Sequence, residues 1–377
     1  MKFFLVTLLI SISIFGNINN LYCQNDINIS GYTQLRYNTL QTNRDLNCLQ
    51  CDRSWGGDDE FFFRRIRIKF QGWVHPRVFF YIQPDFAASI SGSLHYTQLR
   101  DAYADIYLNS EKNIRFRIGQ SKVTYSFENL QSSQFRIALD RNDALNSAKA
   151  NERDLGVFLQ YSPTYIRERF QYLVRNLKGS GDYGMISIGI YNGQTANRPN
   201  NGHHHIVGRF TYPAKINEQY LEFGIQAYRG NYTINTNQTI DKTFLEKRIG
   251  YHFIVYPQPF GFQMEFNNGI GPEFNNGNIE NNNLTGGYLQ TMYIVNINKF
   301  KFIPFFKWHY YKGGKKHEID ATSYKVNEQE IGIEWHFNRN IELVTQYTFS
   351  DRRFENFILP NNRQAGRLLR LQLQVNF

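Results

Sequence analysis

Apolar and polar side chains alternate one for one through most of the chain. Residues 114–120 (IRFRIGQ), 331–337 (IGIEWHF), 341–349 (IELVTQYTF) and 367–377 (RLLRLQLQVNF) all repeat with a period of two. An extended strand with one apolar and one wet face has this period, whereas a helix would need 3.6. The segments run for about 10 to 14 residues, about twice the length of a typical soluble strand. Turn-rich stretches such as 199–202 (PNNG), 275–277 (NNG) and 312–314 (KGG) separate them. The tally after residue 24 is 16 or 17, depending on residues 167–176 (RERFQYLVRN). The even number kept by single-chain bacterial barrels selects 16.

Long strands that are apolar on one side from end to end need a solvent other than water on that side, and a lipid bilayer supplies it. A tilted strand crosses the hydrocarbon in about 9 to 11 residues, and only a closed barrel leaves no backbone group unpaired there. Because the other face lines a polar bore, the mean hydropathy stays at −0.51. Aromatic residues make up 16% of the chain, and clusters such as 308–311 (WHYY) and 253–256 (FIVY) fall near strand ends, where interfacial girdles would place them. At the chain end Leu369, Leu371, Leu373, Val375 and Phe377 share one face. A soluble sandwich or propeller could alternate too, but strand length and this ending argue against it. The expected fold is all-β: a transmembrane antiparallel β-barrel of about 16 strands, wide enough for an aqueous channel.

No later run of 18 apolar residues suggests a membrane helix, so residues 1–23 stand apart. Lys2, the apolar stretch 3–15 and a polar region ending at Cys23 read as an export signal cut before Gln24. A lipoprotein with Cys23 acylated is the competing reading. Residues 24–377 are then the barrel domain, expected in a bacterial outer membrane. After cleavage only Cys48 and Cys51 remain (CLQC), as a small loop disulfide or as two free thiols. One stretch breaks the rhythm. Residues 123–151 lack the period of two, and so long an insertion in a regular barrel is expected to work, either by folding inward to constrict the bore or as an extracellular loop.

At residues 116–122 (FRIGQSK), 125–128 (YSFE), 130–146 (LQSSQFRIALDRNDALN) and 153–160 (RDLGVFLQ) the chain resembles the phosphate-selective porin O and P family of Bacteroidota-type outer membranes. The family usually has Pro-Phe-Gly after its lysine, where this chain has Thr124-Tyr125-Ser126. The resemblance implies a homotrimer of 16-stranded barrels, a third loop narrowing each pore, and passage of small anions such as phosphate. The chain end resembles the closing strand of bacterial outer-membrane barrels, which implies reading of Phe377 by the barrel-assembly machinery.

Strand phase separates the charges. In residues 63–70 (FRRIRIKF), Ile66, Ile68 and Phe70 face lipid, so Arg65, Arg67 and Lys69 face the bore, while Arg64 falls on the apolar face and should snorkel to an interface. By the same rule Arg115, Arg117, Arg209, Arg248, Lys307 and Arg370 point inward; Lys122, Arg136 and Arg141 come from the insertion and its edge. A ladder of arginine and lysine in a narrow bore favours anions, and guanidinium forks replace the hydration of phosphate. Asp101, Asp105, Glu334 and Glu342 also face inward and could pair with these cations instead. The net charge of +10 is spread along the chain, so with export it does not suggest nucleic acid. His203 to His205 point to alternate strand faces, so no metal site is expected there. No catalytic motif and no cofactor are expected either. Channels for sugars or peptides, and a non-conducting envelope scaffold, remain as alternatives.

Overall fold

The computed structural model describes residues 27–42, 59–88, 95–149, 152–196, 202–234 and 242–377. The export segment, Cys48 and Cys51 lie outside them. The period of two becomes strands β1 (Asn28–Thr42), β2 (Glu60–His75), β3 (Val78–Ala88), β4 (Tyr96–Tyr107), β5 (Ile114–Lys122), β6 (Arg153–Tyr161), β7 (Ile186–Tyr191) and β8 (His205–Ile216). They continue as β9 (Gln219–Ile234), β10 (Lys242–Val255), β11 (Phe260–Asn275), β12 (Asn278–Tyr293), β13 (Phe300–Gly314), β14 (Ser323–His336), β15 (Ile341–Glu355) and β16 (Asn362–Asn376). A short segment, Val295–Ile297, resumes β12 after Ile294 in the same register on β13, with Met292 opposite Phe305 and Val295 opposite Phe302. The described strands therefore number sixteen.

Each strand pairs antiparallel with its neighbours in sequence, and β1 also pairs with β16, from Tyr32 opposite Asn376 onward. Closure extends to the last residue: Gly31 N–H donates to the Phe377 carbonyl at 2.7 Å, and Phe377 N–H to the Gly31 carbonyl at 3.0 Å. A side chain at Gly31 would meet the Phe377 ring at 2.6 Å and the Arg67 carbonyl at 2.5 Å, so the seam requires glycine. Two-residue turns at 76–77, 217–218 and 298–299 lie at the barrel end that carries both ends of the described chain, which is the periplasmic end in this class of barrel.

The barrel is inside out relative to a soluble domain. Ile188, Ile225, Ile249, Ile331 and Ile333 are exposed on its outer face, while Arg36, Glu222, Glu246, Glu265 and Glu328 are buried in the bore. The segment that the even count leaves out, 167–176, is part of a helix, α3 (Thr164–Leu177), which buries Ile166, Phe170, Leu173 and Leu177 at helical spacing. One expectation changes. Arg64 is the extra residue of a β-bulge, since Arg65 lies opposite Gln34 and Phe63 opposite Leu35. The bulge resets the phase, so Phe61 and Phe63 face outward and the Arg64 Nε is shielded from solvent.

Ile333 sits within the lipid-facing band, with Pro304 and Thr345 opposite it on the neighbouring strands. Ile333→Arg is expected to destabilise the barrel by about 2–4 kcal/mol, the cost of an arginine near the bilayer midplane. Reversible denaturant unfolding in lipid vesicles measures it.

Candidate functional site: the narrowed lumen

Residues 123–149 run inside the barrel, and none of them is exposed. This segment contains two one-turn helices, α1 (Phe127–Leu130) and α2 (Asp143–Asn146). Its backbone has no sheet partner, so the walls satisfy it instead. Glu265 on β11 accepts the Phe127 and Glu128 N–H groups at 2.8 and 3.1 Å, and Tyr125 donates its hydroxyl to Asn267 at 3.0 Å. Leu139 N–H donates to Gln346 on β15, and Asn142 Nδ2 to the Gly287 carbonyl on β12. Three loop carboxylates tie it to walls far apart in sequence. Glu128 pairs with Lys307 on β13 at 2.5 Å, Asp140 with Arg36 on β1 and Arg370 on β16, and Asp143 with Arg352 on β15 at 3.0 Å.

All twelve predicted cations lie in the bore, but they divide into two sets. Eight are ion-paired. Arg67 donates to Asp85 at 2.7 Å, and Arg117 grips Asp105 with two bonds of 2.7 and 2.8 Å. Arg115 meets Asp182 at 2.9 Å, Arg141 meets Glu152, Arg209 lies 3.7 Å from Glu222, and Arg248 donates to Glu246 at 2.8 Å. Lys307 and Arg370 hold the loop as described. The other four have no carboxylate partner among the described residues. Arg65 donates to Gln34, Lys69 to the Gln134 side chain at 3.1 Å, and Lys122 to the Leu130 and Gln131 carbonyls at 2.7 and 3.1 Å. Arg136 reaches only the Leu139 carbonyl, and its Nε and Nη1 are buried without a partner.

Residues 162–185 form a long connection at the periplasmic end, and α3 within it enters the mouth of the barrel. Leu173 and Leu177 pack on Phe127 of the inner loop and on Ile254 and Tyr256 of the wall. At its end Lys178 takes a left-handed backbone and crosses the bore to Glu334 on β14 at 2.7 Å. Its carbonyl accepts from Gln131 Nε2 at 2.6 Å, which joins helix and loop. The bore is thus narrowed from both ends. The sequence carried the helical spacing of α3, but nothing in it pairs Lys178 with Glu334, 156 residues away.

Within the bore a cavity of about 270 Å³ lies against the β2–β5 wall, bounded by the loop at Leu130, Ser132, Gln134 and Phe135 and by Ser180 to Tyr183 after α3. Arg67, Lys69, Arg117, Lys122 and Arg153 line it, against two carboxylates, Asp101 and Asp182. Tyr81 and Tyr103 stack at 5.1 Å, and the Arg117 guanidinium lies over the Tyr103 ring at 4.1 Å. Arg153 was not among the expected pore residues. It pairs with Asp101 at 2.9 Å and Glu152 at 2.7 Å. Two carboxylate–histidine groups, Asp143/His309/Glu328 and Glu334/His336/Glu342, have ligand spacing. Lys315 and Arg352 already occupy the first and Lys178 the second. His205 is buried with its Nε2 3.1 Å from the Asn231 carbonyl, away from His203.

A closed barrel of this size, apolar outside, polar within and narrowed by an inward loop, defines an outer-membrane channel of the porin class. The chain belongs to the phosphate-selective porin O and P family, whose model matches residues 44–245 and 229–377. No curated protein sequence matches it. The fold is shared with the outer-membrane channel DcaP of Acinetobacter baumannii, at a TM-score of 0.60 and 14% identity over 95% of this chain and 99% of that one. It is shared too with OmpF of Salmonella typhi, solved in complex with daunomycin, at 0.57 and 12% over 94% and 98%. A loop L8 deletion mutant of OmpT from Vibrio cholerae gives 0.54 and 11% over 94% and 99%. Family and fold point to a channel in the outer membrane rather than an enzyme.

The loop carboxylates set how the constriction responds to acid. Burial would raise Asp140, but Arg36 and Arg370 outweigh it and hold the carboxyl well below its usual range. For Glu152, burial is likewise outweighed, by Arg141, Arg100 and Arg153. Depressed folded values mean stabilisation that is complete above the unfolded value, about 4, and lost only as pH falls through the lower folded value. The ion pairs of Asp140 and Glu152 are therefore expected to stay intact from about pH 8 to about pH 5, and any conductance change in that window should persist in Asp140→Asn. Asp140→Asn takes the loop's carboxylate away from Arg36 and Arg370, leaving Arg370 on Glu330 and Arg36 on Gln372, a loss of at most about 3–5 kcal/mol for a broken buried pair. It should raise single-channel conductance or current noise at neutral pH. Lys178→Ala, which unlatches α3, should raise conductance and expose residues 162–185 to protease in planar-bilayer and limited-proteolysis assays.

Proposed function

We propose that the protein is a passive outer-membrane diffusion channel that prefers small anions, with phosphate or polyphosphate as candidate solutes. The observation that carries this reading is the open cavity, where five cationic side chains outnumber two carboxylates and Lys69 and Lys122 hold no carboxylate among the described residues. Arg65 and Arg136 add support: three of their nitrogens are buried without partners, and an anion passing between β2 and the inner loop would satisfy them. Several weak cationic positions suit transit better than one tight site. The ion-paired cations fix the loop and the wall, and the four without carboxylate partners are assigned the anion path. Family membership supports a homotrimer, export by the N-terminal segment and recognition of Phe377 by the barrel-assembly machinery as parts of the same reading. The tyrosines beside the cavity also suit a phosphorylated sugar.

In a planar bilayer under a potassium chloride gradient, the reversal potential should have the sign of chloride permeation, and added phosphate should lower the chloride current. Lys69→Glu should reduce the anion-to-cation permeability ratio at least about tenfold, because exchanging one unit charge for its opposite at about 4 Å is worth about 2 kcal/mol in water. A cation-directed potential in the parent protein contradicts the reading.

A further inference from the structure

The outer face of β13–β16 carries a charge pattern that conduction does not use. Lys312 lies directly opposite Lys325, Lys325 opposite Arg353, and Arg353 opposite Arg363. All four side chains are exposed on the lipid side of the pleat, at the end of the barrel opposite the turns at 76–77, 217–218 and 298–299. Adjacent strands are about 4.8 Å apart, so the row spans about 15 Å. Like charges directly opposite one another destabilise a sheet. Asp351 neutralises one member, accepting two bonds from Arg363 at 2.9 and 3.0 Å. Lys312, Lys325 and Arg353 have no ion pair among the described residues.

Directly below the row the surface is hollow. Ala365 and Gly366 leave an outward-facing groove of about 440 Å³, walled by Asn327, Gln329, Phe349, Asp351 and Arg367. Below that again, Phe306, Ile331, Tyr347 and Leu369 continue across the same strands as an apolar band. From the rim inward the order is cations, a polar groove and hydrocarbon-facing side chains. An anionic lipid has the same order of phosphate, headgroup and acyl chain. A two-fold contact with a second copy would set this row of cations against itself, whereas a phosphate-bearing lipid complements it, so charge complementarity selects the lipid.

We propose that the outer face of β13–β16 is a binding site for a phosphate-bearing glycolipid of the outer leaflet, with Lys312, Lys325 and Arg353 on its phosphates and its headgroup in the groove at Ala365 and Gly366. Each basic residue near an anionic lipid surface adds to the attraction, and a phosphate bound across the row would relieve the repulsion between cations that face one another on adjacent strands.

The test uses the full chain in neutral detergent with bisphosphorylated lipid A as the probe, and native mass spectrometry to count retained lipid. Retention should fall at least tenfold in K325Q/R353Q, and also in Ala365→Leu, which fills the groove and leaves the charge intact. Arg229→Gln/Lys247→Gln, which removes another outward cation pair joined across β9 and β10, should retain lipid like the parent. Inorganic phosphate should not displace the lipid. Bilayer conductance of all variants should match the parent, which separates loss of the lipid site from loss of the channel. Equal retention by K325Q/R353Q, equal loss in the Arg229/Lys247 control, or equal binding of dephosphorylated lipid A would each overturn the proposal.

Discussion

The constraint behind everything else is that hydrocarbon offers no hydrogen bonds to a peptide group. A sheet that crosses it must close on itself, and here the closure runs to the last residue, where Gly31 and Phe377 exchange backbone hydrogen bonds. Closure fixes the pleat, and the pleat assigns every second side chain to lipid or to the bore. The apolar outside and the charged inside are one consequence, and so is the crowding of opposite charges within. Buried cations such as Lys307 and Arg370 need carboxylates, and the inner loop supplies Glu128 and Asp140. The loop is held inside by the wall's own need for counter-charges.

The bore is thereby divided in function. On the β10–β16 side the cations are consumed in seating the loop: Arg248 holds the Ala144 and Ser147 end, Lys307 holds Glu128, and Arg352 holds Asp143. On the β2–β5 side a space remains, bounded by the loop tip and the residues after α3, and its cations exceed its carboxylates. Burying α3 in the periplasmic mouth makes that space the continuation of a second narrowing. The latch is one lysine reaching across the barrel.

Much of this was legible in the alternation. Strand count, the inward phase of Arg65, Arg67, Arg115, Arg117 and Arg370, and the unpatterned insertion all follow from a period of two and its interruption. What was not legible has physical reasons. Phase gives the side of the sheet a residue is on but not its neighbour across the bore, so nothing local linked Arg370 to Asp140 or Lys178 to Glu334. A bulge is one residue long and leaves the composition of β2 unchanged, which is why Arg64 was assigned to the wrong face. The segment at 167–176 carried mixed polarity that suits either period, and only the spacing of Ile166, Phe170, Leu173 and Leu177 marks it as a helix.

The claim that solute moves through the space between the inner loop and the β2–β5 wall is tested most directly by blocking that space alone. Ser132→Cys places a thiol on the loop where it borders the cavity. Labelling it with a negatively charged thiol reagent, with the parent chain and its native cysteines treated in parallel, should sharply lower single-channel current in the variant and leave the parent unchanged. Full labelling of residue 132, confirmed by mass, with undiminished current would contradict the account.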